Sequence, residues 1–281
     1  MLILTFRCIV VLNIVKHNFS YFWLMTIKFY KYHGTGNDFI IIDLTKDDFK
    51  FTENQIKKIC DRKYGIGADG LILIFNHDSV SFEMKFFNPD GTASFCGNGS
   101  RCAVLYCFHQ GIVQSNCSFI TNDGIHQGHV LENENIKISI KSPVLVDKLS
   151  NGDFEVNTGS PHYVQVSESL DNIDFNNYCK SIRNNDKYFQ DGININLVKI
   201  EDDFLDMRTY ERGVEDETLS CGSGVTATAL AIAYENKIEN SLLVKTRGGK
   251  LKVDFERSEN KFEKIFLIGS AKFVFSGDYN L

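Results

Sequence analysis

Cys96-Gly97-Asn98-Gly99 opens an apolar run from Ala103 to Phe108, and Cys221-Gly222-Ser223-Gly224 opens a second from Val225 to Ala233. The spacing between the two cysteines is 125 residues, and it is not isolated. Phe39 and Tyr163, each in a strand-like run after turn chemistry, stand 124 apart, and Leu71 and Leu197 stand 126 apart. A near-constant offset over three kinds of element points to two copies of one unit, with a period far too long for a solenoid. The chain is therefore expected to fold as two similar halves, each carrying one cysteine at the head of one helix.

Both apolar runs lack a polar face, so each helix is expected to be wrapped by the strands of its own half, with only its cysteine-bearing end at the surface. Around them the pattern reads as short strands. Ile27 to Tyr32, Phe39 to Ile42, Leu71 to Phe75, Phe82 to Phe87, 117–121, 125–131 and 135–140 build the first half. Thr52 to Gln55 matches a capping box, which predicts a helix running to about Asp61. The second half repeats the order with strands at Tyr163 to Val166, Leu197 to Ile200 and Leu205 to Tyr210, and a helix near Cys179. The fold class is α+β: two pseudo-symmetric domains, each a mixed β-sheet or barrel around a central apolar helix. The expected divisions are 25–142 and 143–269, with a strand at about 270–281 returning to the first.

Net charge is −6 with a pI of about 5.7 and no basic run, which disfavours nucleic acid and anionic membrane as partners. Eight cysteines in 281 residues, without paired C-x-x-C units, fit neither a disulfide scaffold nor structural zinc, and suit a reducing, cytoplasmic setting. No metal is expected. No nucleotide-binding or zinc-protease motif is present, so no cofactor is expected either. Residues 1–24 read differently. Met1 to Val15 is apolar but shorter than the roughly 20 residues that span a bilayer, and a secretory cleavage site is missing. Two readings stand for this stretch: translation starting at Met25, or a hydrophobic appendage outside the fold.

A helix N-terminus offers unpaired N–H groups and partial positive charge, which bind a carboxylate and favour a thiolate. Two such ends facing each other could bracket one carbon, one thiolate removing its proton and the opposite thiol returning a proton to the other face. Cys96 and Cys221 are the candidates. The remaining six cysteines, Cys8, Cys60, Cys102, Cys107, Cys117 and Cys179, read as non-catalytic.

Six segments in order carry a resemblance: His33 to Phe39, Gly65 to Gly70, Asn88 to Cys102, Ser160-Pro161-His162, Gly192 to Leu197, and Tyr210 to Gly224. Over residues 25–275 the chain resembles the diaminopimelate epimerases, cofactor-independent amino-acid epimerases. The resemblance implies conversion of L,L- to meso-diaminopimelate in lysine and cell-wall synthesis, by a homodimer with Cys96 and Cys221 as acid and base. It further implies that Asn37, Asn88, Asn194, Glu211 and Arg212 hold the substrate, with Arg212 apt for a distal carboxylate. Gly97, Asn98, Gly222 and Ser223 would supply donors to the reacting carboxylate, and His162 and Glu211 would tune the thiols. Ser160 stands where many members carry Asn, and Gly70 where some carry Gln. Asn98 and the Tyr210-Glu211-Arg212-Gly213 block set the chain apart from the proline and hydroxyproline racemases of the same fold, the nearest alternative. A catalytically inactive binding or redox-sensing relative is the alternative from another class.

Overall fold

The computed structural model describes residues 26–47, 49–171 and 173–281; the expectations about residues 1–24, Met25 and Cys8 lie outside the described residues. The first half runs β1 (Thr26–Gly34), β2 (Asn37–Asp43), α1 (Glu53–Cys60), β3 (Gly70–Phe75), β4 (Phe82–Phe87), α2 (Gly97–His109), β5 (Asn116–Thr121), β6 (Gly124–Val130) and β7 (Asn135–Ser139). Then come β8 (Val144–Lys148), β9 (Phe154–Asn157), β10 (Pro161–Val166), α3 (Phe175–Arg183), β11 (Asn194–Ile200), β12 (Leu205–Glu211) and β13 (Asp216–Thr218). The chain finishes with α4 (Gly222–Asn236), β14 (Ser241–Thr246), β15 (Gly249–Ser258), β16 (Lys261–Ser270) and β17 (Lys272–Asn280).

The duplication is visible in the pairing. β2 and β3 are parallel, with α1 between them in sequence, as β10 and β11 are with α3. β4 and β5 are parallel, joined through α2, as β12 and β14 are through α4. These crossovers need a helix because parallel neighbours cannot be joined by a tight turn.

The second half closes on itself. β8, β9, β10, β11, β12, β14, β15 and β16 pair in succession, and Lys261 and Phe262 of β16 return to β8. The result is an eight-stranded barrel, with β13 added on β12. The first half uses the other end of the same strand. β1 to β7 pair in order, Phe266 to Ser270 of β16 pair with β7, and β17, one residue further on, pairs with β1. One long strand, β16 continuing into β17, therefore belongs to both rings.

Thr52 caps α1 as the capping box requires: the Gln55 N–H donates to its hydroxyl (3.3 Å) and its own N–H donates to the Gln55 side chain (2.9 Å). α1 and α3 each bury one face against the outside of a sheet, Ile56, Ile59 and Cys60 in one case and Phe175 and Cys179 in the other. α2 and α4 are different. Residues 97–107 of α2 and 224–233 of α4 are buried continuously, inside the strands of their own halves. Their side chains join in a single core that runs through β16, rather than two separate ones.

The expectation that the cysteine-bearing ends reach the surface needs correcting. Gly97, Asn98, Cys221 and Gly222 are buried, because the two helices meet end to end. A helix end read alone cannot reveal that a second one covers it. Among the described residues no helix is long and apolar enough to cross a membrane.

Candidate active site

Cys96 and Cys221 are the N-cap residues of α2 and α4, both in extended backbone. Their glycines make the meeting possible. A Cβ on Gly222 would stand 3.0 Å from Leu267 of β16 and 3.3 Å from the Asn98 carboxamide oxygen, and one on Gly97 would stand 3.2 Å from Leu267. Side chains there would push the two ends apart. Asn98 ties the halves together, donating from Nδ2 to the Ser220 carbonyl (3.0 Å) and to Asn37 Oδ1 (3.2 Å).

Each thiol has its own set of partners. At Cys96 the Gly99 N–H donates to the sulfur (3.4 Å), and the thiol faces Asn37 Oδ1 at 4.0 Å. Asn37 is held by donating from Nδ2 to Asp69 (2.7 Å). At Cys221 a relay is built from one tautomer. Thr209 donates to Asn196 Oδ1 (3.0 Å), which turns Asn196 Nδ2 toward His162 Nδ1 (3.1 Å). The proton of His162 is then on Nε2, which donates to Ser223 Oγ (3.0 Å), and the Ser223 hydroxyl is left to donate to Cys221 Sγ (3.4 Å). His162 thus reaches its thiol through Ser223 and not directly.

The helix ends do not set the thiol pKa values alone. Burial first and the Glu211 carboxylate second push Cys96 up to about 11 and Cys221 up to about 12 from 9.0. The N–H donors of Gly99 and Gly224 and the Ser223 hydroxyl act in the opposite direction, but burial is the larger effect. The expected help of the helix N-terminus to a thiolate is therefore opposed at both cysteines by the larger effect of burial. Glu211 itself is held above the ordinary carboxylate value, first by burial and then by the like charge of Asp69.

A cleft of about 750 Å³ opens beside the helix ends. Asn37, Asn88, Cys96, Glu211, Arg212 and Ser220 are among its walls. Cys96 is half-buried and lines it; Cys221, 7% exposed, does not, although its neighbour Ser220 does. Arg212 is exposed in the cleft, its guanidinium donating to the Asp191 carbonyl (3.1 Å) and reaching Ser160 Oγ at 3.5 Å. It makes no ion pair among the described residues, so a carboxylate entering the cleft meets a cation without a carboxylate of its own.

The other expected substrate contacts divide. Asn88 lines the cleft, with its amide donating to Thr92 Oγ1 (3.0 Å) and Ser94 Oγ (3.3 Å) of its own loop. Asn194 is buried and fully engaged, donating to Ser160 Oγ and the Pro161 carbonyl (both 2.8 Å) and accepting from the Arg212 N–H (2.9 Å). It holds Arg212 and Ser160 in place and does not face the cleft. Asn196 was missed by the sequence reading. The signal was present, since Asn194 and Asn196 are two apart on a strand and share a face. Among the described residues no group of three or more His, Cys, Asp or Glu side chains is arranged to hold a metal.

Comparison with known proteins bears on this arrangement. The family model described as diaminopimelate epimerase matches residues 29–146 and 154–274. A diaminopimelate epimerase of Flavobacterium psychrophilum is 46% identical over 253 residues, covering 89% of this chain and 98% of that protein. Those of Campylobacter lari and Aquifex aeolicus are 40% and 36% identical, covering 90% and 89% of this chain and 99% and 97% of theirs. Among solved structures, a phenazine biosynthesis protein of the PhzF family from Bacillus anthracis superposes with a TM-score of 0.70 at 15% identity, covering 92% of this chain and all of that one. A hydroxyproline epimerase from Agrobacterium vitis gives 0.69 at 13% identity, covering 92% and 94%. These two show a shared fold.

Proposed function

The chain belongs to the diaminopimelate epimerase family, and from that premise we propose that it converts L,L- to meso-2,6-diaminopimelate with Cys96 and Cys221 as the paired acid and base. The product serves lysine and cell-wall precursor synthesis. The observation that carries the reading is the end-to-end meeting of two cysteine-capped helices beside a cleft that holds Arg212.

The substrate is a zwitterion at both ends, and the site offers a partner for each charge. The α-carboxylate fits over the N–H groups of Gly97 and Asn98 on one side and Gly222 and Ser223 on the other. Arg212 suits the distal carboxylate, with its fork held by the Asp191 carbonyl and Ser160 Oγ and its main chain by Asn194. Glu211 and the Asn37 carboxamide oxygen, both acceptors, suit an ammonium group. One cysteine, ionised, takes the α-proton. The electron pair left on carbon delocalises into the carboxylate, whose growing charge meets donors already in place. The opposite thiol then gives its proton to the other face, so the stereocentre inverts, the first cysteine ends protonated and the second ends as thiolate. The return reaction runs the same steps in reverse, and no external acid or base is consumed. The same reading includes a cytoplasmic homodimer. The half-exposed run Phe273, Val274 and Phe275 on β17 supports a self-associating surface.

The test follows the α-proton. L,L-Diaminopimelate incubated with the reduced enzyme in D₂O is expected to gain α-deuterium as the meso isomer forms. Cys96→Ala and Cys221→Ala should each lower the rate of epimerisation by at least about 100-fold, the lower end for a lost general acid or base. Full epimerisation by both variants would sink the assignment.

A further inference from the structure

Arg101 is 0% exposed and lies one turn into α2, the only charged side chain between Gly97 and Phe108. All three of its hydrogen bonds go to neutral oxygens: Asn98 Oδ1 (2.9 Å), Thr35 Oγ1 (3.2 Å) and the Gly97 carbonyl (3.4 Å). Its Nε, also buried, has no partner among the described residues. The space it fills is made for it. A Cβ on Gly34 would stand 3.2 Å from one guanidinium nitrogen, and one on Gly269 would stand 3.4 Å from Nε. Burying a charge with no counter-charge is unfavourable, and a well-packed apolar residue at such a place is commonly no worse for stability. Stability alone therefore does not account for a cation here.

The neighbours indicate what the charge is for. Burial lowers the Arg101 pKa only to about 10, so it stays a cation at neutral pH, and the titratable groups that face it are the thiols of Cys102 and Cys96. Cys102 lies within the packed helix; Cys96 opens on the cleft. The charged and titratable groups that face Cys96 are Glu211 from β12, Cys221 from the head of α4, and Arg101 and Cys102 from within α2. Glu211, Cys221 and Cys102 oppose ionisation of Cys96; the N–H groups of Gly99 and Asn98 favour it, and Arg101 is the one charged group that does so. The same guanidinium fixes the Asn98 carboxamide by binding its oxygen. That leaves the Asn98 amide to reach the Ser220 carbonyl across the two halves, while Thr35 passes its own hydroxyl proton to Ser220 Oγ (3.1 Å).

We propose that Arg101 is a positioning residue of the reaction: it holds Asn98 in the bridging orientation between the two helix ends and is the buried counter-charge against which Cys96 ionises. The proposal deepens the acid–base reading above and rests on it for the role of Cys96. The charge is reserved for the anion that forms during turnover, which accounts for the lack of a carboxylate beside it among the described residues.

The experiment reads Cys96 directly. The rate of iodoacetamide modification of the full-length, reduced chain is followed at Cys96 by mass mapping between about pH 7.5 and 9.5, below the thiol's midpoint, where the rate is proportional to the thiolate fraction. The chains compared are the wild type, Arg101→Met, Arg101→Gln and Arg101→Lys, with circular dichroism reporting folding. In the two neutral variants the rate at a given pH should fall by about 3-fold or more, since losing an opposite charge disfavours the thiolate. In Arg101→Lys the charge remains and the fork to Asn98 is lost, so the rate should stay at the wild-type value while kcat for diaminopimelate falls. An unchanged rate in the neutral variants would overturn the proposal. So would failure of both neutral variants to fold, since the charge would then serve stability. The alkylation needs no substrate, so a wild type inactive on diaminopimelate would sink the functional reading and leave this question decided on its own data.

Discussion

His162 shows how one buried side chain links the site to the stability of the chain. It is completely buried, and burial, together with the Arg212 cation, lowers its pKa from 6.5 to about 3. The folded state therefore keeps it neutral, as the Asn196–His162–Ser223 relay requires. Between those two pH values the unfolded chain binds the proton and the folded chain does not, so stability falls as pH drops from 6.5 toward 3. His162→Gln removes that titration. Its Tm is expected to fall less steeply than that of the wild type between pH 6.5 and 4, and parallel curves would show that His162 carries none of the acid sensitivity. At this scale the sequence told which residues matter better than it told their state. Ser160-Pro161-His162 and the two cysteines stood out by motif. That the thiols sit at about 11 and 12 did not, because the helix-end effect is local in sequence whereas burial depends on a half of the chain 125 residues away.

The first turn of α4 has to serve as both a helix start and a roof over the relay. A Cβ on Gly224 would stand 2.6 Å from Asn196 Oδ1 and 3.3 Å from the His162 ring, both on strands beneath the helix. Gly224→Ala is therefore expected to lose about 1–3 kcal/mol by overpacking and to slow turnover by displacing His162. Urea unfolding checks the first effect, and a wild-type midpoint would remove the steric argument. Elements of this kind were legible early. Thr52 and Gln55 form the capping box that their spacing implied, and the two apolar runs became fully wrapped helices. That the two N-termini face each other was an expectation from the paired thiols; how they meet was not legible, because it depends on the packing of Gly97 and Gly222 on Leu267, a residue with no motif around it. Arg101 escaped notice for a related reason. In sequence it is one cation on a helix, and only the structure shows that its hydrogen bonds all go to neutral oxygens.

Over the whole molecule, the repeated offset became two rings that share a strand, and the returning C-terminal strand became β17 against β1. Sequence patterning could detect the copies but not the sharing: β16 buries Phe262, Ile265, Leu267 and Gly269, and no motif marks where its pairing passes from β8 to β7. β17 carries three consecutive half-exposed apolar side chains, Phe273, Val274 and Phe275, between 46% and 50% exposed. Val274→Lys is expected to convert a two-chain species into single chains in sedimentation velocity, with the circular dichroism spectrum unchanged. A wild type that already sediments as one chain would remove the homodimer from the reading. The shared strand has a consequence for how the protein is made. The first ring has all its strands up to β7 by Ser139, yet the strand that joins β7 to β1 consists of residues near the end of the chain. At translation rates of 5–20 residues per second, roughly ten seconds pass with the outer edges of β1 and β7 unpaired. Unpaired edges template association with other chains, so a growing chain is aggregation-prone until β16 and β17 are made, and that one long strand then ends the hazard for both halves at once.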